Sequence, residues 1–242
     1  MKYFSVLNIG NTHTQVAVGY ADKKITEWES LRTFDTSEIP FDELPRDIFT
    51  VYSSVVPEIT ALMKKKFPDA LPCIAENVPL IDFSDAPPTL GMDRIANCAA
   101  LVQKKSSGII IDAGTAVTLE IVNNKKFAGG AILPGPGILA RAMHDYTGAL
   151  PLIECRQAVD LETIIPETLT AKAMEIGVQS AAVAGTLQLM RNFLKVLPEN
   201  SPVIVCGGSR QLFLEQNTGG MLIDGGEDFT LNGLAAVAVC HC

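Results

Sequence analysis

The chain carries one short pattern twice, and this repeat constrains its fold more than any other feature. The first copy is Leu7-Asn8-Ile9-Gly10-Asn11-Thr12 and the second is Ile111-Asp112-Ala113-Gly114-Thr115-Ala116. Each copy follows an apolar run, places an amide or carboxylate two residues before a glycine, and leads into an alternating segment typical of a strand. A repeated strand, polar glycine turn and strand predicts two similar α/β halves with a cleft between them. We place these halves at residues 1–107 and 108–242.

Periodicity and turn residues predict the other elements of each half. In the first half we expect strands at 3–7, 14–19, 24–33, 49–55 and 71–75, and helices at 57–67 and 91–103. In the second half we expect strands at 108–111, 116–122, 125–133 and 203–206. Helices are expected after the turn at 134–137, over 166–197 with a break near Gly177 or Gly185, and over 231–240.

Composition excludes several classes of protein. Hydrophobic residues make up 48% of the 242 residues and charged residues 19%, which is typical of a chain with a full core. A net charge of −8 disfavours a nucleic-acid binder, which usually has a basic face. We expect no membrane span, because no apolar run approaches about 20 residues, and no signal peptide, because Met1-Lys2-Tyr3 leads straight into a strand. Six irregularly spaced cysteines fit reduced thiols in a cytoplasmic protein.

The two polar turns have the chemistry of phosphate-binding loops. Glycine allows the backbone to approach a phosphate closely, and Thr or Asn side chains add donors. One such turn, at Asn8–Gln15, is ordinary hairpin chemistry. A second copy at Asp112–Thr118 favours a site in which both turns serve one triphosphate.

Gly91-Met92-Asp93-Arg94 opens a predicted helix and has two interpretations. An acid in a first helical turn is stabilised by the helix dipole, which is reason enough for Asp93. Alternatively, Asp93 accepts a proton from an attacking hydroxyl and Arg94 binds a carboxylate or phosphate with its planar guanidinium. Spacing alone favours the first interpretation.

Taken together and in order, the motifs resemble those of one family. They are the following segments: Asn8-Ile9-Gly10-Asn11-Thr12, Gly91-Met92-Asp93-Arg94, Asp112-Ala113-Gly114-Thr115-Ala116 with Thr118, Gly129-Gly130-Ala131-Ile132 with Pro134-Gly135, Thr170 seven residues before Gly177, and Leu231-Asn232-Gly233-Leu234. This set is similar to the motifs of type III pantothenate kinases, which belong to the acetate/sugar kinase, Hsp70 and actin superfamily. The resemblance implies a duplicated actin-like, or ribonuclease H-like, α/β fold with a central ATP cleft.

The resemblance also implies an activity and a site. It implies ATP-dependent phosphorylation of pantothenate to 4'-phosphopantothenate, the first step of coenzyme A biosynthesis, by a cytoplasmic homodimer. Asp93 would be the catalytic base, and Asp112 would bind a monovalent cation, K⁺ or NH₄⁺, while Mg²⁺ accompanies ATP. The implied ATP-binding residues are Asn8, Ile9, Gly10, Asn11, Thr12, His13, Thr14, Gln15 and Thr115. The implied pantothenate-binding residues are Gly91, Met92, Asp93, Arg94 and Thr170.

The sequence departs from the family pattern at two positions. Asn8 stands where the family usually has Asp, and an amide oxygen is a poorer partner for hydrated Mg²⁺ than a carboxylate. Ser84 stands seven residues before Gly91, where the family often has a Tyr that contacts substrate, and Phe83 is the nearest aromatic residue.

Two alternatives remain open, and a third is disfavoured. One is a non-catalytic, nucleotide-binding regulator of the same fold, and another is a kinase of the same superfamily for a different small hydroxylated substrate. A Rossmann-type dinucleotide binder is disfavoured, because no G-x-G-x-x-G motif follows the first strand.

Overall fold

A computed structural model describes residues 2–21, 26–216 and 218–242. These residues divide into two compact units. The first contains residues 1–106, 124–127 and 228–242, and the second contains residues 107–123 and 128–227. The chain therefore leaves the first unit one residue before the predicted boundary, and its last helix returns to the first unit. The predicted cleft between the halves remains a prediction.

The sheet of the first unit has five strands in the order β3-β2-β1-β4-β5. Their bounds are β1 (Lys2–Ile9), β2 (His13–Ala21), β3 (Thr26–Asp35), β4 (Phe49–Ser54) and β5 (Leu71–Pro72). β1 is antiparallel to β2 and parallel to β4. The predicted strand at 24–33 is found from Thr26, and its first residues lie outside the described part.

The helices of the first unit are α1 (Pro57–Lys66), α2 (Met92–Val102) and, from the end of the chain, a helix at Phe229–His241. α1 begins on a proline, whose fixed backbone angle suits a first helical turn, and ends on three lysines that favour the negative end of the helix dipole. Its Met63 packs with Leu7, Ile9 and Tyr52 in one buried cluster. The helix at Phe229–His241 contacts α2, β1 and β4.

The sheet of the second unit repeats this topology, in the order β10-β9-β6-β7-β8. Its strands are β6 (Gly108–Ala113), β7 (Ala116–Asn123), β8 (Lys126–Pro134), β9 (Val203–Cys206) and β10 (Leu222–Gly226). The first two residues of β8 belong to the first unit. β6 is antiparallel to β7 and parallel to β9, as β1 is to β2 and β4. The predicted duplication of the α/β fold is therefore confirmed at the level of strand order and direction.

The helices of the second unit are α3 (Pro136–Asp145), α4 (Thr170–Gln179), α5 (Gly185–Leu194) and α6 (Gln211–Leu214), so the helix from Phe229 is α7. The predicted long helix starts at Thr170, not at 166, and a π-helical turn at Ser180–Ala184 joins α4 to α5 in place of a break. Neither α6 nor β10 was predicted.

The two glycine turns are shorter than the sequence suggests. Asn8 lies within β1, paired with Gln15 and Ser53, and Asp112 lies within β6, paired with Thr118 and Cys206. A parallel partner on the second side extends each strand by two residues, which the sequence of a single strand does not reveal.

Candidate active site

The turn after β1 is fixed from behind by a buried threonine. Thr36 donates its hydroxyl to the carbonyl of Gly10 at 2.8 Å, and its amide donates to the carbonyl of Thr12 at 3.0 Å. The hydroxyls of Thr36 and Thr14 are also hydrogen-bonded, at 3.0 Å. Asn11, Thr12 and His13 at the tip are exposed. A fixed turn with an exposed polar tip can offer donors to a phosphate without being ordered first.

In the second unit, three backbone segments meet at the turn after β6. The amide of Gly135 donates to the carbonyl of Thr115 at 3.1 Å, and the amide of Ser209 donates to the carbonyl of Ala113 at 2.8 Å. A side chain at Gly135 would overlap the carbonyls of this turn. The sequence identified the segment that ends at Gly135 by resemblance. It offered Gly207-Gly208-Ser209, after β9, only as weak evidence of a nucleotide site.

Gly207 allows the chain to cross the carboxylate of Asp112. Its φ is +87°, a left-handed conformation that favours glycine, and a Cβ there would lie 2.5 Å from Asp112 Oδ1. Asp112 is half-buried. The same Cβ would lie 2.7 Å from the carbonyl oxygen of Ala113, so Gly207 passes close to two oxygens of the type that a hard cation prefers.

Asn8 and Asp112 are equivalent residues of the two sheets, because each is the next-to-last residue of its strand and pairs with a polar residue of the following strand. One is neutral and the other charged. Among the described residues, no group of three or more His, Cys, Asp and Glu side chains could hold a metal ion.

The carboxylate of Asp93 turns back onto the start of α2. Its Oδ1 accepts the backbone amide of Arg94 at 2.8 Å, and a Cβ at Gly91 would lie 2.5 Å from the same oxygen. Burial raises the pKa of Asp93 above its ordinary value, against the opposing effects of the Arg94 amide and the Arg94 charge. A carboxylate with a raised pKa is a better proton acceptor than an ordinary aspartate.

Sequence reasoning missed two neighbours of this segment. The buried thiol of Cys73, just after β5, has a pKa raised by burial and, to a smaller degree, by the charge of Asp93. The guanidinium of Arg94 lies 6.0 Å from the ring centroid of Phe127. Neither residue is part of a recognisable motif, so only the fold brings them to Asp93 and Arg94.

The structure places the predicted site residues in both units. Asn8–Gln15 and Gly91–Arg94 lie in the first unit, whereas Asp112, Thr115 and Thr170 lie in the second. Thr170 is the first residue of α4 and is exposed. That Thr170 contacts the substrate together with Gly91–Arg94 remains a prediction. Ser84 is exposed, and its amide donates to Asp82 at 2.8 Å.

A family model for type III pantothenate kinase matches residues 5–192, which is most of the chain. The chain belongs to this family. A type III pantothenate kinase of Thermosynechococcus vestitus is 38% identical over 154 residues, which cover 62% of this chain and 57% of the relative. That of Kosmotoga olearia is 26% identical over 253 residues, covering 95% and 93% of the two chains. The predicted family is thereby confirmed.

Solved structures support the predicted fold. A Campylobacter jejuni structure named for the Baf family of transcriptional activators has a TM-score of 0.67 and 19% identity, covering 96% of both chains. MreB 5 of Spiroplasma citri has a TM-score of 0.53 and 11% identity, covering 96% of this chain and 95% of its own. Such neighbours confirm the actin-like fold, and at these identities they show the fold alone. Among the described residues, no helix is both long and apolar enough to cross a membrane.

Proposed function

We propose that this kinase-family chain transfers the γ-phosphoryl group of ATP to the primary hydroxyl of pantothenate, giving 4'-phosphopantothenate, the first intermediate toward coenzyme A. The observation that carries the proposal is the half-buried carboxylate of Asp93, which accepts the backbone amide of Arg94 and whose pKa is raised by burial. In a chain of this family, a raised pKa fits a general base better than an acid that serves only to stabilise the helix, because the helix dipole would lower the pKa of such an acid.

The proposed step uses residues at the starts of α2 and α4. Asp93 takes the proton of the hydroxyl as the hydroxyl oxygen attacks the γ-phosphorus, and the bond from that phosphorus to the β–γ bridging oxygen breaks, so that ADP leaves. We assign the proton to Oδ2, because Oδ1 accepts the amide of Arg94. The guanidinium of Arg94 binds the substrate carboxylate. Thr170 supplies a further substrate contact.

The two glycine turns have the ATP-binding role in this proposal. The turn at Asn8–Gln15 and Thr115 bind the phosphates through backbone and hydroxyl donors. Asp112 and its neighbouring carbonyls suit K⁺ or NH₄⁺, which would offset phosphate charge. Asn8 can accept a hydrogen bond from water on Mg²⁺, and the ion, when bound, neutralises charge that develops on the phosphates. A homodimer in the cytoplasm remains a prediction.

One observation favours a second candidate, a nucleotide-binding regulator without turnover. Asn8 lacks the charge that the family pattern has at this position. Proteins usually bind Mg²⁺ through only one or two carboxylates, so the loss of one carboxylate weakens the site. Such a protein would bind nucleotide and release no ADP in response to pantothenate.

Pantothenate-dependent ADP release from the purified protein distinguishes the two candidates. We expect release in potassium or ammonium salts, little in sodium salts, and no dependence on the choice of salt for Asp112→Ala. A thermal-shift comparison of pantothenate with simple sugars tests the alternative that the chain is a kinase of the same superfamily with a different substrate. ADP release that is equal with and without pantothenate would refute the proposed reaction.

A further inference from the structure

The ring of Phe127 lies beside the guanidinium of Arg94, and the ring of Phe83 lies against that of Phe127. The ring centroid of Phe127 is 6.0 Å from Arg94 Cζ and 6.0 Å from the centroid of Phe83. Phe127 is 5% exposed and Phe83 is 9% exposed. Arg94 itself is half-buried. A cation near an aromatic face is attracted by the ring quadrupole, and more strongly where water is partly excluded.

Backbone pairing holds Phe127 in place. Residues 124–127 lie in the first unit and pair with the segment before Phe83. The backbone amide of Asp82 donates to the carbonyl of Lys125 at 2.8 Å, and the backbone carbonyl of Asp82 accepts the amide of Phe127 at 2.9 Å. Lys126 also forms an ion pair with Asp85 at 2.6 Å. The ring therefore has little freedom to follow the arginine, and the arginine must adapt to the ring.

We propose that Phe127, backed by Phe83, is a positioning residue that orients the Arg94 guanidinium for the carboxylate of the substrate. This inference rests on the proposed function, in which Arg94 binds that carboxylate. A guanidinium held against a fixed ring has fewer accessible orientations, so it loses less entropy when its planar fork binds a carboxylate. Phe127 thus contributes to selectivity for acids over neutral analogues without touching the substrate.

Steady-state kinetics of Phe127→Leu test the proposal. The Leu side chain is apolar and removes the ring, so we expect the KM for pantothenate to rise about two- to twelve-fold, which corresponds to the cost of immobilising one long side chain on binding. The KM for ATP should not change. The KM for pantothenol, in which a CH₂OH group replaces the carboxylate, should not change either, and Phe127→Tyr should behave as wild type.

Phe67→Leu is the matched control. Phe67 is a buried ring of the same unit, 8% exposed, and its centroid lies 5.0 Å from Arg46 Cζ. Its replacement removes a ring and a cation–π contact away from Gly91–Arg94, so it should lower the melting temperature and leave the KM for pantothenate unchanged. In Phe127→Leu, an equal rise of the KM values for pantothenate and pantothenol would overturn the proposal, because the defect would then be a general loosening of the substrate pocket.

A spectroscopic measurement separates this proposal from the proposed function. In the NMR spectrum, the ring current of Phe127 should shift the side-chain signals of Arg94, and the shift should disappear in Phe127→Leu and persist in Phe127→Tyr. If the wild-type protein does not phosphorylate pantothenate, the proposed function fails, while the NMR result still decides whether Phe127 orients Arg94. Arg94 signals that do not differ between wild type and Phe127→Leu would refute the orientation.

Discussion

At the scale of single residues, Asp93 combines two properties that oppose one another. Its folded-state pKa is raised, so the folded protein binds this proton more tightly than the unfolded chain. Ionised Asp93 therefore destabilises the fold once the pH is above the folded pKa, and this cost disappears as the pH falls below the ordinary pKa of aspartate. The same raised pKa makes the carboxylate a better base.

Asp93→Asn should consequently separate activity from stability. The amide can still accept the Arg94 backbone amide, but it cannot take up the proton, so we expect turnover to fall about 10²- to 10⁴-fold. At neutral pH the melting temperature should rise or hold, because a poorly solvated charge is removed, and the difference from wild type should shrink toward acidic pH. Glu58→Gln, an acid in the first turn of α1, is the control. It should lose a little stability and keep full turnover. Normal turnover in Asp93→Asn would exclude Asp93 from catalysis.

Asn8 should determine how much Mg²⁺ the enzyme requires. Asn8→Asp restores a negative charge beside the proposed phosphate loop, so we expect a lower Mg²⁺ concentration for half-maximal rate and a nearly unchanged KM for pantothenate. A calorimetric titration of Mg·ATP onto both proteins provides the second readout and should show tighter binding to the variant. Superimposable magnesium curves would mean that residue 8 shapes the hairpin and does not contact the metal's hydration shell.

At the scale of elements, the packing of α7 on α2 fixes the helix that carries Asp93. Gly233 of α7 lies so close to the carbonyl of Ala96 that a Cβ would overlap it. Beside this contact, the hydroxyl of Thr230 donates to Asn97 Oδ1 at 2.8 Å. Asn97 is fully buried, and it lies one turn after Asp93, on the same side of α2.

Thr230→Val should therefore destabilise the first unit. The Val side chain has nearly the same shape but gives no hydrogen bond, so Asn97 Oδ1 loses this donor at a cost of about 1–3 kcal/mol. We expect a lower melting temperature for Thr230→Val and a value close to wild type for Thr230→Ser, which keeps the hydroxyl. Equal melting temperatures for the Val and Ser variants would show that the hydrogen bond contributes nothing.

The sequence predicted most elements because their apolar periods are clear, but it could not predict those that depend on a distant partner. β10 has three glycine or acidic residues among five, and only its pairing with β9 makes it a strand. Likewise, the ends of β1 and β6 depend on β4 and β9. The motifs located Asp93, Asp112 and the turns, whereas Cys73 and Phe127 come near the site through contacts between distant segments.

At the scale of the whole molecule, the first unit is built from both ends of the chain. α7 contacts α2, β1 and β4, the indole of Trp28 donates to Asp228 at 3.1 Å, and His241 is hydrogen-bonded to the carbonyl of Asn77 at 2.7 Å. Seven residues of α7 are alanine, valine or leucine, and most of the helix is buried. Removing it would expose one face of the sheet of the first unit.

A chain truncated after Glu227 should accordingly show a localised defect. We expect faster amide hydrogen exchange in β1, β4 and α2, while the amides of β6 and β9 exchange at rates close to those of the full chain. Mass spectrometry of peptides from both proteins provides the comparison. Uniform acceleration in both units would mean that the two units unfold as one cooperative body.

The return of α7 to the first unit has a consequence for biosynthesis. During translation, the strands of the first sheet leave the ribosome early, but their covering helix emerges only after the whole second unit has been made. The surface of β1 and β4 that α7 contacts thus stays uncovered while more than 120 residues are added, which follows from the span between α2 and α7. The part of the protein that is synthesised first is therefore completed last, and in this interval its uncovered apolar surface is prone to aggregation.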